Sequence, residues 1–262
     1  MLPMTAGPHT RSLLLGALLC GVSFGATEPS LAAGCEFEPR GGGVVSAVID
    51  ARTFRLDDGR DIRLAGVETA PDESGDRHPV LATLVGRHVT LRSENGEPDR
   101  YGRQSAFVFL DQSSTPVQSE LLTHGEALVS GNVADKACAA ELTTAEAAAR
   151  QARRGTWANS SVIKNAESPG DILTRLGQFA VVEGRVSSVR QAGATVYVNF
   201  GRRWTQDFAA TISRRMMPSF EAAGVTPKSF ENRRVRVRGW VERRGGPRIE
   251  VSRVGQIEVV GN

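Results

Sequence analysis

The chain is divided into short strand-like runs, and this pattern constrains its fold more than any other feature of the sequence. Apolar residues alternate with polar ones over a few residues at a time, and turn formers such as DDG at 57–59 separate the runs. The runs between residues 42 and 110 are GGVVSAVID, TFRL, RDIRLAG, HVTLRS and RYGRQSAFVFL. The sequence therefore predicts five short strands in its first half.

Helical segments interrupt and follow these strands. HPVLATLVGR at 78–87 predicts a short helix before the fourth strand, and PVQSELLTHG at 116–125 predicts another after the fifth. The alanine-rich segment 137–155 predicts a longer helix, because alanine is the strongest helix former and oppositely charged residues are spaced four apart. Five short strands with helices inserted and appended predict a Greek-key barrel of the OB type.

The same order of elements recurs nearer the C-terminus. Strand patterns at 179–193, 194–201 and 207–213 precede a short helix pattern at 214–224, in which Met217, Phe220 and Ala223 face inward. Two more strand patterns around an RRGG turn complete the segment 233–260. We therefore expect a mainly β fold with helices (α+β), in which a five-stranded OB-type barrel is followed by a second OB-like barrel.

Charge and composition divide the chain at a polar, turn-rich stretch. ANSSVIKNAESPGD at 158–171 lacks periodicity and predicts a linker at 159–171. Residues 34–169 hold 15 Lys and Arg against 20 Asp and Glu, whereas residues 170–262 hold 16 against 8. The sequence thus predicts an acidic domain at 34–158 and a basic domain at 172–262.

The first 33 residues are typical of a secretory signal peptide. Arg11 precedes the apolar run SLLLGALLCGVSFGA, and small residues follow in SLAAGC, so we expect cleavage near Ala32 or Ala33. The run is too short to span a bilayer and no later segment is long enough, so no transmembrane helix is expected. The predicted location is the periplasm or the extracellular medium.

The predicted export determines which cysteines remain in the mature chain and whether they are expected to be oxidised. Cys20 would leave with the signal, so the mature chain keeps Cys35 and Cys138. In an oxidising compartment two such cysteines are expected to pair as a disulfide. Two alternatives stay open: the thiols are unrelated, or Cys35 in AAGC is the site of a lipid anchor.

Four segments of the first half together resemble the staphylococcal nuclease (thermonuclease) family. They are VIDARTFRL, IRLAGVETAPD, DRYGRQSAFVFL and ARQARRGTWA, in the order and at the spacing of that family, and they lie within residues 41–158. The resemblance implies an OB barrel that binds a nucleic acid chain and, in active members, cleaves phosphodiester bonds with calcium. The C-terminal segment resembles the OB-like tail of some exported members.

The resemblance also implies catalytic roles for individual residues. Arg63 of IRLAG and Arg103 of DRYGR match the two arginines that clamp phosphate, a task that suits the guanidinium fork. Asp72 or Glu73 would act as the general base, from a loop one residue longer than the family's. The implied catalytic set is Arg63, Asp72 and Arg103.

The metal-binding part departs from the family pattern. The resemblance places Asp50, Glu68 and Thr69 at the calcium, but Arg52 stands where active members have a second carboxylate ligand. Calcium takes about six to eight oxygen ligands. Because a guanidinium in place of a carboxylate changes the local charge by two units, calcium-dependent hydrolysis is expected to be impaired.

Two arrangements of Arg52 stay open. In the first, its guanidinium takes the place of the metal between Asp50 and Glu68. It then forms, with Arg63 and Arg103, a cationic pocket that holds phosphate without hydrolysing it. In the second, the side chain points into solvent and the metal position is vacant.

The second domain contains a strand pattern with a basic face. In RRVRVRGWVE the valines share one face, and the other face holds three arginines and a tryptophan, which we expect to be exposed. Arginines beside an indole suit single-stranded nucleic acid, through phosphate attraction and base stacking. The alternatives are a solvated basic face or docking against the acidic first domain. The predicted nucleic-acid-binding set comprises Arg52, Arg202, Arg203, Trp204, Arg234, Arg236, Arg238 and Trp240.

Three functions therefore stay open. The first is an exported protein that binds single-stranded nucleic acid or nucleotide phosphates, with hydrolysis impaired. The second is an active phosphodiesterase that uses Asp50, Glu68 and Asp72 with a metal other than calcium. Apart from calcium, no cofactor is expected for the chain. The third is an envelope protein whose OB faces bind protein or glycan. Because the histidines are scattered singly, neither a zinc site nor a Ser/His/Asp site is predicted.

Overall fold

The computed structural model describes residues 34–69, 78–94, 97–111 and 113–261. The predicted signal peptide, with Cys20, lies outside these residues. The described part is an α+β protein rich in strands, as the sequence predicts. Within it, no helix has both the length and the apolar character needed to cross a membrane.

The first half of the chain contains a closed five-stranded barrel. Of the seven strands among the described residues of this half, five close the barrel, in the order first, second, third, sixth, fifth. The third and sixth strands run parallel, and the fourth pairs with the seventh outside the barrel. The predicted OB-type order is therefore confirmed. The strands are β1 (Pro39–Asp50), β2 (Thr53–Leu56), β3 (Asp61–Leu64), β4 (Val67–Thr69), β5 (His88–Arg92), β6 (Gln104–Leu110) and β7 (Ala127–Val129).

Three helices flank this barrel: α1 (Pro79–Ala82), α2 (Val117–His124) and α3 (Lys136–Gln151). Asp135 caps α3, because its carboxylate accepts a hydrogen bond from the backbone amide of Cys138 at 2.8 Å. Cys138 forms a disulfide with Cys35, and both lie in the barrel core. The predicted pairing is confirmed, and the bridge ties the segment before β1 to the first turn of α3.

The second half forms a mixed sheet. Its strands are β8 (Ile163–Asn165), β9 (Phe179–Arg185), β10 (Ser188–Ala192), β11 (Thr195–Asn199), β12 (Ala209–Ser213), β13 (Arg234–Arg244), β14 (Gly246–Val251) and β15 (Ile257–Val259). They are ordered β10-β11-β12-β14-β13-β9-β8, with β15 on β13, and β12 runs parallel to β14. Because only Val186 and Ser187 separate β9 from β10, these act as one bent strand. The order then matches that of the first barrel, as predicted.

Short helical segments complete the described part of the chain. They are α4 (Pro169–Leu173), α5 (Met217–Ala222) and 3-10 turns at Gly155–Ala158, Ser160–Val162, Arg214–Met216, Pro227–Phe230 and Val254–Gln256. α5 lies where the sequence predicts a helix; Phe220 is buried and Met217 packs against the core.

The segment predicted as a linker, 159–171, contains β8 and the start of α4. β8 pairs in parallel with β9, and Lys164 in its middle is buried and pairs with Asp171 at 2.9 Å. These residues therefore extend the second sheet.

A separate apolar cluster joins the first half of the chain to the second. Leu128 of β7 and Ala149 of α3 are buried together with Trp157 and with Phe179 and Val181 of β9. Elements of the first half thus pack directly on a strand of the second.

The basic face of β13 is not the exposed ladder that the sequence predicts. Arg236 is 8% exposed and Arg238 only 2%. Arg236 lies between Glu183 of β9 and Glu258 of β15, at 2.9 and 3.0 Å. Arg238 pairs with Glu146 of α3 at 3.0 Å. Alternation shows which residues share a face, but not that neighbouring strands and a helix of the other half cover that face.

Candidate functional site

The turn between β1 and β2 positions the four residues of the sequence DART, which occupies positions 50–53. β1 ends at Asp50, Ala51 and Arg52 form the turn, and Thr53 begins β2 opposite Asp50. Oδ1 of Asp50 accepts a hydrogen bond from the backbone amide of Arg52 at 2.9 Å. The exposed Asp50 carboxylate therefore fixes the backbone of the turn.

Gly66 positions Glu68. Its φ is +77°, and a Cβ at this position would lie 2.8 Å from Cδ1 of Leu142, so glycine is the residue that fits. The chain turns here from β3 into β4, where Glu68 lies opposite Leu128 of β7. The glycine of IRLAG thus brings Glu68 back beside β3.

The guanidinium of Arg52 lies against Glu68. Its Nη1 forms an ion pair with Oε2 of Glu68 and donates a hydrogen bond to the carbonyl oxygen of Val67 at 3.2 Å. The two charged side chains are 13% and 10% exposed. Nη2 of Arg63 lies 3.9 Å from Oε1 of the same glutamate. Arg52 is therefore turned inward, paired with Glu68 rather than with the Asp50 carboxylate.

Arg63 and Arg103 approach this ion pair from parallel strands. Arg63 lies in β3, and Arg103 directly precedes β6. Burial lowers the pKa of Arg63, and the Arg52 cation lowers it further; Glu68 raises it, and Arg103 lowers it again. The guanidiniums of Arg52 and Arg63 therefore lie against the Glu68 carboxylate, and Arg103 is near enough to Arg63 to influence its pKa. We call these three residues the arginine cluster.

Asp99 orients Arg103. Its carboxylate accepts hydrogen bonds from Nε and from the backbone amide of Arg103, at 2.9 and 3.0 Å. The side-chain hydrogen bond from Arg103 lowers the pKa of Asp99 to about 2. Asp99 thus holds Arg103 in place within the arginine cluster.

Tyr101 is a candidate residue that the sequence reasoning missed. Its ring is 66% exposed. The guanidiniums of Arg100 and Arg103 lie 4.7 and 5.1 Å from the ring centroid. The available signal was its place in DRYGR, between the two arginines.

The described donors do not fit calcium. Calcium needs about six to eight oxygen ligands, but Glu68 is paired with Arg52, and Asp50 accepts from a backbone amide. Among residues 34–69, 78–94, 97–111 and 113–261, no three His, Cys, Asp or Glu side chains are grouped so that they could hold a metal ion.

Thr69 and the candidates for the general base complete the set implied for the first domain. Thr69 is half-buried in β4, opposite Ala127 of β7. Asp72 and Glu73, the candidates for the general base, lie outside the described residues.

The predicted nucleic-acid-binding residues of the second domain separate into two groups. The exposed group comprises Arg202, Arg203, Trp204, Arg234 and Trp240. Within it, Arg234 is paired with Glu183 at 2.6 Å. Arg236 and Arg238 form the buried group. Alternation along β13 puts Arg234, Arg236, Arg238 and Trp240 on one face but does not show which of them are buried.

The fold and the site define an OB-type barrel with an arginine cluster beside β3. Residues 75–159 match the family model of staphylococcal nuclease homologues. The matched segment includes Arg103 and α3 but not Arg52, Arg63 or Glu68, and it confirms the resemblance that the motifs indicate. A search of the curated proteins found no match to the chain.

Proposed function

We propose that the chain binds the phosphates of nucleic acid or nucleotides at its arginine cluster, without calcium-dependent hydrolysis. The similarity of residues 75–159 to staphylococcal nuclease homologues supports nucleic acid as the class of ligand. The observation that carries the proposal is the ion pair between Arg52 and Glu68.

The three guanidiniums of the arginine cluster outnumber the two carboxylates paired with them, and this excess of positive charge favours the addition of an anion. Glu68 contacts Arg52 and Arg63, while Asp99 is engaged by Arg103. Burial lowers the pKa of Arg63 most, and Arg52 and Arg103 lower it further, as expected when cations repel one another. A phosphate placed among them would relieve this repulsion and accept charge-assisted hydrogen bonds.

The same ion pair argues against calcium-dependent hydrolysis. A metal ion beside Glu68 would have to displace the Arg52 guanidinium or lie next to it. Two unit charges about 4 Å apart already repel by roughly 4 kcal/mol at an effective dielectric of about 20, and a divalent ion doubles this. We expect Arg52 to supply the positive charge at this position, so that phosphate is held rather than cleaved.

Tyr101 would supply a surface for a base next to the phosphate. Its ring is exposed, and the guanidiniums of Arg100 and Arg103 lie over it. Stacking of a base on an aromatic side chain is worth about 1–3 kcal/mol. A nucleotide would then be held at two points, the phosphate by arginine and the base by tyrosine.

Calorimetric titration of the mature chain with a nucleoside 3′,5′-bisphosphate tests the proposal. Binding is expected in the presence of a chelator and should not change when calcium is added. Arg63→Ala should weaken binding about ten- to hundredfold, the range for a lost hydrogen bond to a charged group. Arg55→Ala is the control, because Arg55 is exposed on β2 and paired with Asp61. Binding that requires calcium, or calcium-dependent release of acid-soluble nucleotides from DNA, would contradict the proposal.

We also propose that the protein is exported. The disulfide between Cys35 and Cys138 supports an oxidising compartment. The intact mass of protein recovered outside the cytoplasm should correspond to a chain that begins near residue 33 or 34. Recovery of the full-length chain with free thiols from the cytoplasm would contradict export.

A further inference from the structure

We infer that the second domain binds single-stranded nucleic acid on a surface of its own, separate from the arginine cluster. This loop–turn surface is formed by the loop 201–207 and the turn 243–246. Its long side chains are those of Arg202, Arg203, Trp204, Arg243 and Arg244. The inference goes beyond the proposed phosphate site, because it concerns the other domain and a different set of residues.

Two glycines bring the loop and the turn together. A Cβ at Gly246 would lie 2.5 Å from the carbonyl oxygen of Asp207, so the turn approaches the loop more closely than a side chain would allow. Gly245 likewise lies against Thr205. The loop joins β11 to β12 and the turn joins β13 to β14. Residues far apart in sequence therefore meet at one end of the second sheet.

The backbone of the loop is fixed, whereas its indole projects outward. The backbone amide of Arg203 donates to Oδ2 of Asp207 at 2.7 Å, and the amides of Gln206 and Asp207 donate to the carbonyl oxygen of Arg203. Trp204 is 79% exposed, more than any other large apolar side chain in the described part of the chain. A fixed backbone that presents a rigid ring loses little conformational freedom on binding.

Positive charge is in excess around this indole. Four arginines lie in the loop and the turn, and the carboxylates beside them are Asp207, 3.7 Å from Arg203, and Glu242, 3.5 Å from Arg244. The side chains of Arg203 and Arg244 remain 73% and 69% exposed. The arginines are therefore available to contact phosphates.

An exposed indole among arginines suits a single strand better than a duplex. Guanidiniums attract the phosphates, while the indole stacks on a base, which a duplex keeps inside its helix. Tyr197 offers a second ring: it alternates with the buried Val196 and Val198 on β11, and Arg248 lies 5.5 Å from its ring centroid. Because β11 leads into the loop, a bound strand has a path from Trp204 along the outer face of the sheet.

Binding of a fluorescein-labelled oligothymidine of about twelve nucleotides, within the usual range for an OB fold, tests the inference on the mature chain. Trp204→Ala should weaken binding about 5- to 150-fold, the fold-change that corresponds to one stacked base. Trp204→Phe should retain most of the affinity, because it keeps an aromatic face.

Salt dependence tests the arginines. Replacing Arg202 and Arg203 together by serine should reduce the slope of log K against log salt by about 1.4, for two lost phosphate contacts. Arg215→Ser is the matched control, because Arg215 is an exposed arginine beyond the other end of β12. It should change the slope and the affinity little.

An oligonucleotide of equal length with abasic sites separates stacking from charge. The wild type should bind it more weakly than oligothymidine, and Trp204→Ala should bind the two alike. Equal binding of the two by the wild type, or unaltered oligothymidine binding by Trp204→Ala, would overturn the inference. Competition by an acidic polysaccharide as effective as that by oligothymidine would also overturn it, since it would indicate a general polyanion surface.

The nucleoside bisphosphate distinguishes this surface from the arginine cluster. Trp204→Ala should leave bisphosphate binding unchanged, and Arg63→Ala should preserve the part of oligothymidine binding that depends on Trp204. If the bisphosphate does not bind at all, the proposed phosphate site fails, and Trp204→Ala still decides whether the loop–turn surface exists.

Discussion

Arg238 of β13 and Glu146 of α3 form a buried ion pair that joins the two halves of the chain. Their Nη1 and Oε2 atoms lie 3.0 Å apart, and the side chains are 2% and 0% exposed. The same nitrogen donates to the carbonyl oxygen of Val129 in β7, whose amide donates to Glu146. β7 also pairs with β4, which contains Glu68. The ion pair therefore supports the strand that lies beside the arginine cluster.

Removing Arg238 should destabilise the protein strongly. Arg238→Ala leaves the buried Glu146 with only the more distant Arg150, at 3.6 Å, as its counter-charge. Breaking a buried ion pair costs about 3–5 kcal/mol. Urea denaturation should show this loss in the free energy of unfolding. Arg234→Ala is the control, because Arg234 lies in the same strand but is 65% exposed, and it should cost less than about 1 kcal/mol. If both variants lost the same free energy of unfolding, burial of the arginine would not explain the loss.

Acid should weaken the same interface through Glu258. Burial raises the pKa of Glu258, but the charges of Arg238 and Arg236 outweigh burial and hold the pKa below its ordinary value of 4.5. Such a carboxylate stabilises the fold above its unfolded pKa, and the contribution is lost as the pH falls through the folded pKa. Glu258→Gln should therefore reduce the free energy of unfolding most near neutral pH, and the deficit should shrink below about pH 4.5.

Unfolding of the wild type and of Glu258→Gln over a series of pH values measures this deficit. Glu250→Gln on β14 is the control, because Glu250 is exposed, and it should follow the wild type at every pH. A deficit of Glu258→Gln that stays constant into the acid range would contradict the assignment.

The disulfide should contribute substantially to stability. Cys35 and Cys138 are 103 residues apart, and the chain-entropy model gives up to about 4–5 kcal/mol for a loop of this length. Replacing both cysteines by serine should lower the free energy of unfolding by no more than that amount. Alkylation of the wild type without reductant should leave the intact mass unchanged, whereas two labelled thiols would contradict the bridge.

The sequence predicts most of the barrel strands because their signal is local. TFRL and the strand part of RDIRLAG alternate within themselves, and DDG joins them, so β2 and β3 follow from a few neighbouring residues. The strands β4, β7 and β8 have only three residues each and show no periodicity. They are fixed by pairing with distant strands, which a local pattern does not show. For this reason β8 falls inside the segment predicted as a linker.

The candidate sites are predicted less completely, because the burial of a charged side chain depends on the element that packs against it. Glu146 has Arg150 one helical turn away, at 3.6 Å, a spacing typical of a solvent-exposed pair, yet its side chain is 0% exposed. Nothing near Glu146 in sequence indicates that Arg238 lies against it. Arg52 is similar: the sequence leaves open whether its guanidinium lies between Asp50 and Glu68 or points into solvent. In the structure the Asp50 carboxylate binds the backbone amide of Arg52, and Gly66 brings Glu68 to the guanidinium.

Arg52 determines whether the arginine cluster accepts phosphate or calcium, so replacing Arg52 should exchange one of these ligands for the other. Arg52→Asp removes the cation paired with Glu68 and restores a carboxylate where the family resemblance implies a calcium ligand. The variant should bind the nucleoside bisphosphate at least about tenfold more weakly and should gain calcium binding, both measured by calorimetry. Arg52→Ser removes the cation without adding a ligand, so it should lose phosphate affinity and gain no calcium affinity. Arg55→Asp makes the same change of charge at an exposed position of β2 and should do neither. If the wild type cleaves DNA with calcium and Arg52→Asp abolishes cleavage, Arg52 is part of a catalytic site and not a substitute for its metal.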